Sequence, residues 1–210
     1  MNRPLHQGVT NPPISLGIIG ACAVIWVWMF VLASPDAAQA LFLTLALWPL
    51  DSGQFLPWEP ITYGFLHGSF SHVFFNMFAV WMFGLPIEQT WGSRRFVLYY
   101  VVCLLGAAAT QLVVQQVTGS SWPTVGASGA VFGLLLAFGV MFPNNRVFLI
   151  FLPIPIKAKW FVLIYAGLEL VFGVTNFMPT VAHFAHLGGL AAGAALLWRW
   201  GWRPGMTWRR

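Results

Sequence analysis

Apolar runs long enough to cross a bilayer recur along this chain, and nearly all charged residues fall between them or at their ends. Charged residues make up 7% of the sequence and hydrophobic ones 59%, whereas soluble domains carry about 25% charge. A chain so patterned has few folds open to it. In lipid every backbone N–H and C=O must be satisfied within the protein, which leaves helices or closed barrels. Runs of about 17–25 apolar residues mark helical spans. They predict six helices, near 14–33, 70–86, 95–117, 128–142, 158–174 and 182–199. The fold class expected is therefore all-α, a polytopic bundle forming a single domain over 1–210.

The fourth predicted helix is short. At about 1.5 Å per residue it reaches about 22 Å, less than the hydrocarbon thickness of about 30 Å. One of its ends is expected below the membrane surface. Residues 34–69 form a long first connection, whose apolar segment 38–50 is too short to span and is edged by Asp36 and Asp51. A half-embedded or interfacial loop is expected there. Residues 15–33 exceed the roughly 7–15 apolar residues of a signal-peptide core, so they read as the first span.

The ten Lys and Arg form no long basic run, so the +5 charge is no footprint of nucleic acid. Arg3, Arg94, Arg95, Arg146, Lys157, Lys159, Arg199, Arg203, Arg209 and Arg210 fall in alternate connections or tails. The first, third and fifth connections hold none. The positive-inside rule then places both short tails in the cytoplasm. Twelve tryptophans suit interfacial belts. Cys22 and Cys103 both fall mid-span and read as small core residues rather than a disulfide.

Against this apolar background a few polar residues stand out, because polar groups inside a span are costly and default to function. Ser128 lies in Gly126-Ala127-Ser128-Gly129 at the start of the fourth helix. His186 lies in Ala185-His186-Leu187-Gly188-Gly189, about one turn into the sixth. His72 and Asn76, four apart, share a face at the start of the second. The even-numbered helices run from outside to inside, so all four residues fall at one shallow depth. Ala182, His186, Gly189 and Gly193 share a helix face, and Gly129 with Gly133 forms a small-xxx-small pair that permits close approach of the fourth and sixth helices. A histidine beside a serine is the common activator of its hydroxyl. Phe132, one turn after Ser128, is placed to stack on an imidazole. His72 and Asn76 can donate to a developing oxyanion.

These motifs resemble the rhomboid family of intramembrane serine proteases. The resemblance rests on Gly126-Ala127-Ser128-Gly129 with Gly133, on Ala185 to Gly189, on His72-Val73-Phe74-Phe75-Asn76 preceded by Phe65-Leu66-His67-Gly68, and on Glu88 to Phe96 with its Trp91-Gly92. It covers about residues 57–193 and implies a six-helix rhomboid-like bundle, with core about 57–200 and a partly embedded first loop. It further implies hydrolysis of peptide bonds in or next to transmembrane segments. Ser128 would be the nucleophile and His186 the base, with His72 and Asn76 stabilising the oxyanion together with the Ser128 backbone N–H. Gly126, Gly129, Phe132 and Gly189 would support them.

The implied partners are single-span or polytopic membrane substrates and the lipid bilayer. No metal and no cofactor are expected, and a bacterial inner membrane is the expected home. Some relatives carry Trp-Arg where this chain has Trp58-Glu59, and some have tyrosine where it has Phe132. The family uses a dyad, and the sequence offers His186 no obvious acid partner. Glu169, the only acid inside the predicted spans, is expected to make a structural hydrogen bond, and His183 to bond a loop at the mouth. His67 is expected to be structural, and Glu88 and Arg95 to tie the cytoplasmic loop by charge, which is worth little where such a pair is exposed. Two other readings stay open: an inactive rhomboid-like protein that binds membrane clients, and a small transporter.

Overall fold

The structure, a computed structural model, describes residues 11–149 and 152–202. Arg3, Arg203, Arg209 and Arg210, used above for orientation, lie outside the described residues. Among the described residues, four helices are long and apolar enough to cross a membrane: Pro13–Leu32, Phe70–Trp91, Ser93–Thr118 and Ala158–Thr175. A shorter apolar helix spans Ser128–Met141, and a 17-residue helix spans His183–Arg199. These match the six expected positions, and the protein is an all-α membrane bundle.

In chain order, α1 (Pro13–Val27) ends in a π-helical turn at Trp28–Leu32. Two short helices follow in the first connection, α2 (Pro35–Leu45) and α3 (Glu59–Thr62). Then come α4 (Phe70–Ala79), a π-helical turn at Val80–Gly84, and α5 (Leu85–Trp91). The π turn sits just before Pro86, which lacks the N–H that would continue the α-helical ladder. Helices α6 (Ser93–Thr118) and α7 (Ser128–Met141) are followed by β1 (Arg146–Leu149), β2 (Leu152–Lys157), α8 (Ala158–Thr175) and α9 (His183–Arg199).

Two elements differ from expectation. The segment read as a loop at 38–50 is largely the helix α2, begun by Ser34, whose hydroxyl accepts from Ala37 N–H at 3.3 Å. At about 16 Å it is still too short to cross. The connection after α7 holds an antiparallel hairpin pairing Arg146 with Lys157 and Val147 with Ile156. Pro153 and Pro155 concealed it, because proline reads against a paired strand.

The third span, α6, packs with α7 and α9, and these three helices form the centre of the bundle. Lipid supplies no hydrophobic drive between helices, so close contact depends on small residues. Gly106 faces Ala192, Gly188 faces Thr110, and Gly133 faces Cys103. The Tyr99 hydroxyl donates to the Gly133 carbonyl at 2.8 Å, and that of Tyr63 to the Leu104 carbonyl at 2.9 Å. Cys22 and Cys103 are free and buried. Val24, Val117, Val174 and Trp198 are exposed, as residues meeting lipid would be.

Glu88 is not an exposed surface charge. It is fully buried and accepts from Ile14 N–H at 3.0 Å, Ser15 N–H at 2.7 Å and the hydroxyls of Ser15 and Ser93, each at 2.7 Å. Helix α1 starts on prolines with no side-chain cap of its own, so its orphan N–H groups are capped from α5. A carboxylate at a helix N-terminus also complements the helix dipole. Glu88→Ala should therefore destabilise the protein by about 2–5 kcal/mol, because it leaves the N–H groups of Ile14 and Ser15 unpaired, at about 1–3 kcal/mol for each buried donor. In detergent the Tm should fall by on the order of 10 °C; an unchanged Tm would contradict this role.

Candidate active site

Ser128 is the first residue of α7, preceded by Ala127 as N-cap, and its hydroxyl makes no capping bond. It reaches that position through an irregular segment, which membrane depth tolerates only when its backbone groups are paired within protein. The pairing comes from the first connection. Leu47 and Thr124 exchange two backbone bonds of 2.9 Å, and Gly126 N–H donates to the Tyr63 carbonyl at 2.9 Å. Gln115 donates from its amide to the Trp122 carbonyl at 2.9 Å.

The first connection is fixed in turn. Trp58 donates from its indole to the Thr44 carbonyl at 2.9 Å, and the Thr62 hydroxyl to that of Leu45 at 2.9 Å. Glu59 is buried and accepts from Trp48 N–H at 2.9 Å. Burial pushes its carboxyl up from the usual range.

His186 lies one turn into α9. Its Nε2 is 2.7 Å from Ser128 Oγ. The Phe132 ring lies flat on the imidazole, with centroids 4.5 Å apart and planes 9° apart. Gly189, one turn on, allows this contact: a β-carbon there would collide with the Gly129 carbonyl. Gly129 itself was expected to face α9. A β-carbon on it would first strike Ala107 of α6, with the Ala185 carbonyl 3.5 Å away. It thus serves a three-helix junction rather than one pair.

His72 is half-buried at the start of α4, where Ser69 caps its N–H at 3.1 Å. Its ring occupies the space above Gly126: a β-carbon there would be 2.7 Å from His72 Nε2 and 3.7 Å from Ser128 Oγ. Gly126 has φ +126°, a conformation that also demands glycine. Asn76 is buried and gives one amide hydrogen to the His72 carbonyl at 3.0 Å, which leaves its second for another acceptor. His67 is buried edge-on to His72, with centroids 4.9 Å apart. Burial brings its imidazole down to about 4, so it is neutral near pH 7.

The sequence offered His186 no acid, and here the structure differs. Glu169 of α8 brings Oε2 to 3.0 Å from His186 Nδ1 and to 2.7 Å from His183 Nδ1. The expected loop contact of His183 is present as well: its Nε2 is 2.9 Å from the Phe177 carbonyl. In the sequence Glu169 stands late in the fifth predicted helix and His186 early in the sixth, which puts both near the outer leaflet but does not pair them. The donor atoms of Glu169, His183 and His186 all lie within 4.8 Å of one another. They could hold a divalent cation only by taking the His186 Nδ1 lone pair. That would place its proton on Nε2 and remove the base facing Ser128.

Comparison with known proteins gives the same residues a context. The rhomboid protease GluP of Bacillus subtilis (strain 168) is 33% identical over 137 residues, 65% of this chain and 24% of its own length. The rhomboid protease GlpG of Serratia proteamaculans (strain 568) is 29% identical over 194 residues, 86% of this chain and 60% of its own. The mitochondrial rhomboid protein 1 of Saccharomyces cerevisiae is 29% identical over 136 residues, 64% of this chain and 39% of its own. The chain thus spans between about a quarter and three fifths of the length of these relatives. The rhomboid domain pattern matches residues 54–203, which takes in α3 to α9 and every residue of the site, and by that match the chain belongs to the rhomboid family.

Proposed function

We propose that this protein is an intramembrane serine endopeptidase that cuts peptide bonds in or beside transmembrane segments of other membrane proteins. The observation that carries the reading is the 2.7 Å contact between Ser128 Oγ and His186 Nε2 at the shallow end of a short membrane helix. Ser128 Oγ attacks the scissile carbonyl carbon as its proton passes to His186 Nε2, and the carbonyl π electrons move to oxygen. On collapse the C–N bond breaks and Nε2 returns the proton to the leaving amine. Water then repeats the sequence on the acyl-enzyme. A substrate helix must unwind locally to expose its carbonyl, because helical carbonyls are engaged in backbone bonds. Six spans with both termini in the cytoplasm would open the Ser128 end to the outer face, in keeping with a bacterial inner membrane.

A fluorophosphonate probe tests the nucleophile. It should form one adduct, mapped to Ser128 by mass spectrometry and absent from Ser128→Ala. An unlabelled wild type would instead favour a client-binding protein that does not cut.

His72, the second Asn76 amide hydrogen and the Ser128 backbone N–H are the oxyanion donors in this reading. Loss of one such side-chain donor typically costs about 10²–10³ in kcat. Asn76→Ala and His72→Ala should each lower kcat more than they raise KM, because the lost bond strengthens in the transition state. Their combined loss should be less than additive if both serve one oxygen. Steady-state cleavage of a reporter checks this, and an unchanged kcat in both singles would reduce the pair to a packing clasp.

A further inference from the structure

A carboxylate within a membrane helix has to be held by partners. Glu169 has two histidines, and a purely structural role would need only one. The Phe177 carbonyl can only accept, so His183 Nε2 must carry a hydrogen toward it at 2.9 Å. The carboxylate Oε2 of Glu169, 2.7 Å from His183 Nδ1, can only accept as well, so His183 must donate from both ring nitrogens to anchor the carboxylate from the loop side. The same oxygen stands 3.0 Å from His186 Nδ1. For His186 to take a proton from Ser128, its Nε2 must present a lone pair and its proton must sit on Nδ1. That nitrogen is buried and has no other polar partner among the described residues. Its N–H is not yet aligned on Oε2, and catalytic bonds of this kind often tighten only when substrate is bound.

We propose, building on the protease reading above, that Glu169 is a positioning residue for His186. Its carboxylate holds the imidazole in the tautomer protonated at Nδ1 and faces the imidazolium formed when Ser128 gives up its proton. Glu169 touches neither substrate nor Ser128; it acts through His186. Phe132 fixes the plane of the same ring by stacking, so the imidazole is constrained by face and by edge. The site is then a Ser128–His186–Glu169 chain with His183 as its clamp, in place of a bare dyad.

The test compares full-length wild type with Glu169→Ala, Glu169→Gln and Glu169→Asp in proteoliposomes, using a single-span reporter and the fluorophosphonate. Glu169→Ala should lower kcat by about 10–100-fold, part of the 10²–10⁴ that general acid–base catalysis supplies. KM should stay within about twofold, because substrate binding is untouched. The fluorophosphonate should react correspondingly more slowly. Glu169→Asp, which keeps the charge, should outpace Glu169→Gln by at least about threefold. Wild-type kcat in Glu169→Ala would overturn the proposal. If Glu169→Ala fails to fold, the Asp and Gln variants decide, and equal rates in the two would overturn it. Ser128→Ala serves as the control for the underlying reading. If it still cleaves the reporter, the assignment of Ser128 fails whatever the Glu169 variants do.

Discussion

Ser128→Ala and His186→Ala should each abolish cleavage of a membrane reporter while the protein still folds. Without Oγ there is no nucleophile. Without the imidazole, Oγ has no base at 2.7 Å to take its proton. General-base assistance alone is worth about 10²–10⁴ in rate, and covalent catalysis is lost with the serine. Neither side chain holds the bundle together. Ser128 makes no helix-capping bond. The packing around His186 is carried by neighbouring glycines on α9, and Phe132 would lose only its stacked partner. Melting in detergent should therefore move little. Cleavage by either variant, with contaminating protease excluded, would remove the assignment. His183→Ala should keep most activity, since Glu169 can still face His186 Nδ1 without it. An inactive His183→Ala beside an active His186→Ala would mean that the wrong histidine carries the proton.

Gly189→Val should cost at least about 100-fold in kcat/KM, because a displacement of about 1 Å at the reacting atoms has that effect. The reason is specific. A β-carbon at Gly189 lands on the backbone carbonyl of Gly129, the residue after the nucleophile, and rigid backbone cannot rotate away. The helices must part, and Ser128 and His186 sit on the two that do. Overpacking of this kind also costs about 1–3 kcal/mol of stability. Gly167 on α8 supplies the control, since a β-carbon there meets nothing within 4 Å. Gly167→Ala should be indistinguishable from wild type. Full activity in Gly189→Val would remove the argument from close packing.

Hydropathy and charge placed six helices within a few residues of where they lie, since the cost of burying charge in lipid is paid residue by residue. Ser128, His186, His72 and Asn76 stood out for the same reason: each is polar where hydrocarbon surrounds it. What escaped the sequence was pairing across distance. Glu88 reads as one more loop charge until α5 is laid against the start of α1, 73 residues earlier along the chain, where it caps Ser15. Glu169 reads as an isolated acid until α8 and α9 pack and its oxygen meets two imidazoles. The Gly129 hydrogen was assigned to α9, and only the three-helix junction shows that Ala107 of α6 is its nearer neighbour. Helix α2 was hidden by its shortness, and the hairpin after α7 by its prolines.

The central claim is that Ser128, activated by His186, cuts peptide bonds at the membrane. The direct measurement is to incubate the purified protein in proteoliposomes with a set of single-span reporters and to map the fragments by mass spectrometry. The account predicts a discrete cut in or next to the reporter's transmembrane segment, made by wild type and absent from Ser128→Ala. Intact reporter with wild type, or the same fragments from Ser128→Ala, would contradict it.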